Sequence, residues 1–123
     1  MGRELIWFIP AILVAMGILA LSTFFAIPIQ IEGVNHLDKW EHTFAYFVLS
    51  ISFLVAFKKS KRLTKTISLQ VLVMAGAYGL ILEYIQYQFF EYRVFEWADA
   101  IANMLGAVLG YLLFLLLNKR IDV

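Results

Sequence analysis

Four apolar runs, at residues 5–29, 37–57, 67–90 and 97–117, take up most of a chain of 123 residues. Each is long enough, at about 1.5 Å per residue, to cross the roughly 30 Å hydrocarbon core of a bilayer. Such a chain has nothing left over for a separate soluble domain, and with 63% hydrophobic and 15% charged residues it has too little polar surface to cover a water-exposed fold. The expected fold is all-α: a single polytopic membrane domain, residues 1–123, forming an antiparallel bundle of four transmembrane helices. The first run continues without a polar break to Ile29, longer than the core of a cleaved signal peptide, so it reads as a permanent span. The second opens on a polar turn, Asp38, Lys39, Glu41 and His42, which shortens its purely apolar part.

The links are short, and short links make antiparallel neighbours. Residues 30–36 contain Gly33 and Asn35, which tolerate turn conformations, and residues 58–66 form a basic linker. Pro28 marks the expected exit of the first helix. The net charge of +1 hides a strong asymmetry: eight of the ten Lys and Arg residues fall at one end of the spans and seven of the nine Asp and Glu residues at the other. Because basic loops stay inside, both termini and the basic linker are expected in the cytoplasm. The same linker resembles a nucleic-acid patch only in isolation; beside spans it is a topology determinant that meets anionic lipids, and no nucleic-acid partner is expected.

The polar residues of three helices converge on one level. Counted from the basic ends at about 1.5 Å per residue, His42 stands at about 22 Å, Glu83 at about 24 Å and Asn103 at about 21 Å. Residues three or four apart share a face, which aligns Asp38, His42 and Tyr46 on the second helix. The same spacing aligns Gly76, Gly79, Glu83, Gln86 and Tyr87 on the third, and Asp99, Asn103, Gly106 and Gly110 on the fourth. Small residues below and polar residues above mark inward faces, since glycines let helix backbones approach closely in lipid. Arg93, in an aromatic-rich connection from Gln88 to Glu96, turns inward over the carboxylates or outward to lipid phosphates.

Asp38-Lys39, His42, Tyr46, Glu83, Gln86, Arg93, Asp99, Asn103, Gly106 and Gly110, in this order and spacing, resemble the VanZ-like family. The resemblance covers roughly residues 37–117 and leaves the first helix without a family signature. Where relatives often place a Pro-Gly pair before the arginine, this chain has Glu91-Tyr92. The resemblance implies a small integral protein of the bacterial plasma membrane, of the type named for resistance to glycopeptide antibiotics such as teicoplanin.

Three readings of the polar layer follow. In the first, Asp38, Lys39, His42, Tyr46, Glu83, Gln86, Arg93, Asp99 and Asn103 bind an amphipathic envelope molecule, a glycopeptide or a cell-wall lipid intermediate, near the outer leaflet. In the second, the chain is an intramembrane enzyme acting on a lipid-linked substrate, with His42 as base and Glu83 or Asp99 as its partner. In the third, the network only holds helices together. Imidazole and carboxylates suit a divalent metal, but Lys39, Arg93 and a protonated His42 already balance three carboxylates, so no metal and no cofactor are expected. The absence of cysteine removes disulfides, thiolate zinc sites and a cysteine nucleophile, and no nucleophile elbow, HExxH or P-loop occurs.

Overall fold

The computed structural model describes residues 2–23, 35–89 and 97–121, and among these no strand occurs. The elements are α1 (Gly2–Leu5), a 3-10 turn (Ile6–Phe8), α2 (Ile9–Thr23), α3 (Asn35–Lys59), α4 (Lys65–Phe89) and α5 (Trp97–Ile121). Four segments are long and apolar enough to cross a membrane: Arg3–Leu21, Trp40–Lys59, Lys65–Ile85 and Trp97–Asn118. The chain is an all-α four-helix membrane protein. Large apolar side chains such as Leu13, Met16, Phe44, Val73, Ile101 and Leu112 stand exposed on the outside of the bundle, where lipid rather than water is the solvent. Asn35 and His36, expected in the link before the second span, instead begin α3; Pro28 and Gly33 lie outside the described residues.

Pro10 accounts for the break in the first span. A proline has no N–H to give to the carbonyl four residues back and its ring crowds that carbonyl. The Ile6 carbonyl is taken instead by the Ile9 N–H, which tightens residues 6–8 into a 3-10 turn before α2 resumes. The basic linker has its own geometry. Lys61 sits in the left-handed region at φ 63°, its N–H donating to the Lys58 carbonyl at 3.0 Å, and the Arg62 N–H donates to the Phe57 carbonyl at 2.9 Å. Those two bonds close a Schellman ending of α3, and Thr64 Oγ1 then accepts the Ile67 N–H at 3.0 Å to start α4.

The most extensive helix pairing is that of α3 with α5, which are not chain neighbours. Thr43 Oγ1 donates to the Ala102 carbonyl at 3.3 Å, an offset of 59 residues, and Lys58 Nζ donates to Asn118 Oδ1, an offset of 60. A nearly constant offset makes the two helices parallel and fixes their register along their length. Between these bonds the backbones come very close. A Cβ on Gly106 would overlap the Thr43 carbonyl, and one on Gly110 would overlap Ser50 Oγ and stand 2.6 Å from the Phe47 carbonyl oxygen. Ala107, which the glycine spacing did not single out, is fully buried and packs with Ala75, Leu82 and Tyr46 toward α4.

Around this pair, α4 packs on both helices and the first span leans on α3 and α4. Tyr78 Oη donates to the Ala15 carbonyl at 2.6 Å. At the basic end Phe8 meets Phe57 edge to face at 4.9 Å, Lys59 Nζ lies 5.5 Å from the Trp7 ring centre, and Arg62 pairs with Glu4 at 3.2 Å. The last two are exposed or peripheral and hold the first span only weakly.

The glycines sort by what faces them. Gly106→Ala is expected to lower stability in detergent by roughly 1–3 kcal/mol, because the obstacle is backbone and α3 must retreat. Gly17 meets nothing within 4 Å, and Gly17→Ala is expected to be neutral or stabilising by up to about 1 kcal/mol. Paired melting curves of the two variants measure the difference.

Candidate functional site

The α3–α5 register decides what comes together at the end of the bundle opposite the basic linker. Parallel helices offset by about 60 residues bring Asp99 to the level of His42, and α4 brings Glu83 to the same level from the third side. One nitrogen of His42 and one carboxylate oxygen from each of Glu83 and Asp99 all lie within 4.8 Å of one another. Glu83 and Asp99 are only 4% and 3% exposed, and His42 is half-buried. Asp99 lies in the first turn of α5, where the unpaired N–H groups and helix dipole favour a negative charge. Two carboxylates so close in a low dielectric demand positive charge or a shared proton, and an imidazole can supply either.

A second tier lies one turn below. Tyr46, 2% exposed, and Asn103, 3% exposed, close around Gly79. A Cβ on Gly79 would stand 2.9 Å from Asn103 Cβ and Nδ2 and 3.1 Å from Tyr46 Cε2, so the bare backbone of Gly79 makes room for both. The Tyr46 ring continues toward Tyr78, with centroids 6.4 Å apart. Asn103 Oδ1 is buried and accepts no hydrogen bond among the described residues. Leaving such an acceptor unpaired costs about 1–3 kcal/mol, and the helix interior offers cheaper residues. An orphaned acceptor beside a His–carboxylate trio marks a place prepared for a donor.

The structure therefore gathers five of the sequence-predicted residues, His42, Tyr46, Glu83, Asp99 and Asn103, into two adjoining tiers. Asp38 and Lys39 lie on the first turns of α3 and Gln86 on the last turns of α4, but their side chains, like the whole of Arg93, lie outside the described residues. Thr43 was missed by sequence reasoning. Its bond to the Ala102 carbonyl clamps α3 to α5 next to His42, and the available signal was its position beside His42 at the level of Asp99 and Asn103.

The chemistry of the trio is broad: it can hold and pass a proton, accept several hydrogen bonds, or offer one nitrogen and two oxygens to a divalent cation. Ionisable residues buried this way within membrane-spanning helices mark functional sites by default.

A four-helix membrane protein with a buried His–carboxylate layer at one end and most of its basic residues at the other is the class that fold and site define. The chain belongs to the VanZ/LLP1 family, whose family model matches residues 15–118. It is similar to an uncharacterized protein of the fission yeast Schizosaccharomyces pombe, 37% identical over 95 residues, which make up 77% of this chain. The matched part is 54% of that relative, so the chain spans about half its length. No solved structure matches.

Asn103→Leu tests the orphaned acceptor. Removing an unpaired buried oxygen at nearly constant volume is expected to leave stability unchanged or raise it by about 1 kcal/mol. A melting temperature clearly below that of the parent would mean that Asn103 is a structural bond-maker.

Proposed function

We propose that the two-tier polar layer binds the head of an amphipathic envelope molecule, and that the chain thereby contributes to tolerance of glycopeptides of the teicoplanin type. The observation that carries the reading is the gathering of His42, Glu83 and Asp99 from three helices within 4.8 Å, one helical turn from Asn103, whose buried oxygen has no hydrogen-bond partner among the described residues. Acceptors predominate over donors among these groups. A ligand suited to them presents hydroxyl, amide or ammonium donors, as a glycopeptide or the sugar-peptide part of a cell-wall lipid intermediate does. An apolar tail would leave such a molecule in the bilayer with its head at the layer. The proposed binding set further includes Asp38, Lys39, Gln86 and Arg93.

The short distances also support a second reading, an intramembrane enzyme on a lipid-linked substrate. His42 would take a proton from the attacking group, and Glu83 or Asp99 would orient the imidazole and stabilise its charged form. Turnover of lipid extracts separates the two readings.

The setting proposed for either is the bacterial plasma membrane, with the basic linker and both termini in the cytoplasm and the layer near the outer leaflet. Ser60, the first residue after α3, is buried with its hydroxyl on the Phe57 carbonyl, so the exposed Lys61 is the better probe position. Single-cysteine probes are expected to label at Asn35 from outside and at Lys61 only after permeabilisation. Reversed labelling would move the layer to the inner leaflet.

His42→Gln and Glu83→Gln are expected to express and melt within a few degrees of the parent while losing the envelope or glycopeptide phenotype, because binding groups are selected for the ligand and not for the fold. Paired melting curves and resistance assays check this. Phenotype lost in step with stability would return both residues to helix pairing, and phenotype retained at full stability would remove them from the site.

A further inference from the structure

The polar layer makes two demands at one place: two buried carboxylates call for positive charge, and a buried oxygen beside them calls for a partner. Glu83 and Asp99 each bring a carboxylate oxygen to one nitrogen of His42, the three atoms lying within 4.8 Å of one another. Asn103, one turn after Asp99 on the same face of α5 and only 3% exposed, adds an amide oxygen that accepts no hydrogen bond among the described residues.

Side-chain direction turns that oxygen toward the trio. Helical side chains lean toward the N-terminus of their own helix, which tilts Asn103 toward the turn of Asp99. The α4 helix runs the other way: its Gly79 meets Asn103, while Glu83, four residues later, meets Asp99, four residues earlier on α5. The same rule therefore tilts Glu83 back toward Gly79 and Asn103. Both side chains lean into the gap between the two tiers, from opposite sides.

The occupants of that gap differ in what they satisfy. A proton shared by the trio lowers the charge but leaves the Asn103 oxygen bare. A water gives that oxygen a hydrogen bond but leaves two carboxylates charged in a low dielectric. A divalent cation does both: with a neutral imidazole its charge matches the two carboxylates, and the amide oxygen becomes a fourth ligand. Lys39, three residues before His42 on α3, stands on the far side of the trio from Asn103.

The distances and donor types suit a metal. Donor atoms about 2.0–2.2 Å from one ion stand about 3–4 Å apart, so atoms already within 4.8 Å need side-chain adjustments of only about 1 Å. His42, half-buried, gives the ion a side of entry. One imidazole nitrogen among three oxygens suits a first-row transition ion such as Zn²⁺ or Mn²⁺ better than Ca²⁺ or Mg²⁺, which take oxygen ligands.

We infer that His42, Glu83, Asp99 and Asn103 form a site for one divalent transition-metal ion. The site goes beyond the envelope-molecule reading and does not rest on it; a head-group hydroxyl would meet the layer at the ion's remaining positions.

Calorimetric titration of the full chain, free of any histidine tag, stripped with chelator and held in detergent, tests it with Zn²⁺ and Mn²⁺ alone as probes. Saturable binding of one ion per chain is expected, undisturbed by millimolar Ca²⁺ or Mg²⁺. His42→Gln and Asp99→Asn are each expected to weaken it by more than about tenfold, and Asn103→Leu by about tenfold. His36→Gln, which removes the other of the two histidines, is expected to change nothing. Asn103→Asp separates a metal site from a helix-pairing network. Its third buried carboxylate is expected to lower the melting temperature of the stripped protein, and saturating Zn²⁺ to restore it. Circular dichroism confirms the fold of each variant.

Four results would overturn the inference. The first is no saturable binding by the folded parent, which would leave the carboxylates to protons and to cationic side chains. The second is binding that survives both His42→Gln and Asp99→Asn but is lost in His36→Gln, the mark of an adventitious surface ion. Displacement by millimolar Ca²⁺ would make the site one of oxygen ligands only, and full affinity in Asn103→Leu would remove the amide from it. These titrations involve no envelope molecule, so their failure leaves the envelope-molecule reading to its own resistance assays.

Discussion

The passage of α5 across the backbone of α3 at Gly106 and Gly110 is the contact on which the rest depends. Lipid offers helices no hydrophobic reward for meeting, so association rests on close van der Waals contact and on hydrogen bonds between them. Two bare turns let α5 settle against the Thr43 and Phe47 carbonyls, and only at that distance does Thr43 reach the Ala102 carbonyl. The pairing then acts as a ruler. With the register held at both ends, Asp99 and Asn103 have no freedom to slide past His42 and Tyr46, and α4 needs only to present Glu83 and Gly79 to complete the two tiers.

Those tiers and an apolar cleft between α2, α3 and α4, lined by Ala15, Leu49, Phe53, Val71 and Tyr78 among others, divide the interior by polarity. Tyr46 and Tyr78 form the boundary: acidic and amide groups lie on one side of the pair, and the apolar cleft on the other. The division resembles the lipid molecule itself, with a polar part and an apolar part, but in opposite order relative to the two ends of the bundle.

Much of the architecture was legible because hydrocarbon imposes simple arithmetic. Length and apolar content alone reveal four crossings, and helical spacing alone puts His42, Glu83, Asp99 and Asn103 on inward faces next to the glycines. What escaped reading was set by local or tertiary geometry. Pro10 sits in an apolar run where nothing signals that the Ile6 carbonyl will be recaptured by Ile9. Lys61 occupies a left-handed position usually given to glycine, so its residue type concealed the Schellman ending. The tightest pair is parallel and separated in sequence by a whole helix, whereas short links direct attention to antiparallel neighbours. The cleft is a space between three helices and corresponds to no motif in any of them.

The first span differs from the other three in how it is held. Gly17 faces open space, and among the described residues the span is held by the buried Ala11 and Ile18, the latter in the core with Val14 and Ala15, together with an edge-to-face phenylalanine pair, a cation over Trp7, an exposed ion pair and the Tyr78 hydroxyl on the Ala15 carbonyl. During synthesis this segment leaves the ribosome before α3 and α4 exist, and it must be accommodated in the bilayer before they arrive. A surface apolar on nearly every side, with Leu5, Leu13, Met16 and Leu21 all exposed, suits that interval. The first span is thus a helix that tolerates lipid on most of its surface and keeps one narrow side, at Ala11 and Ile18, for the helices that follow it in the chain.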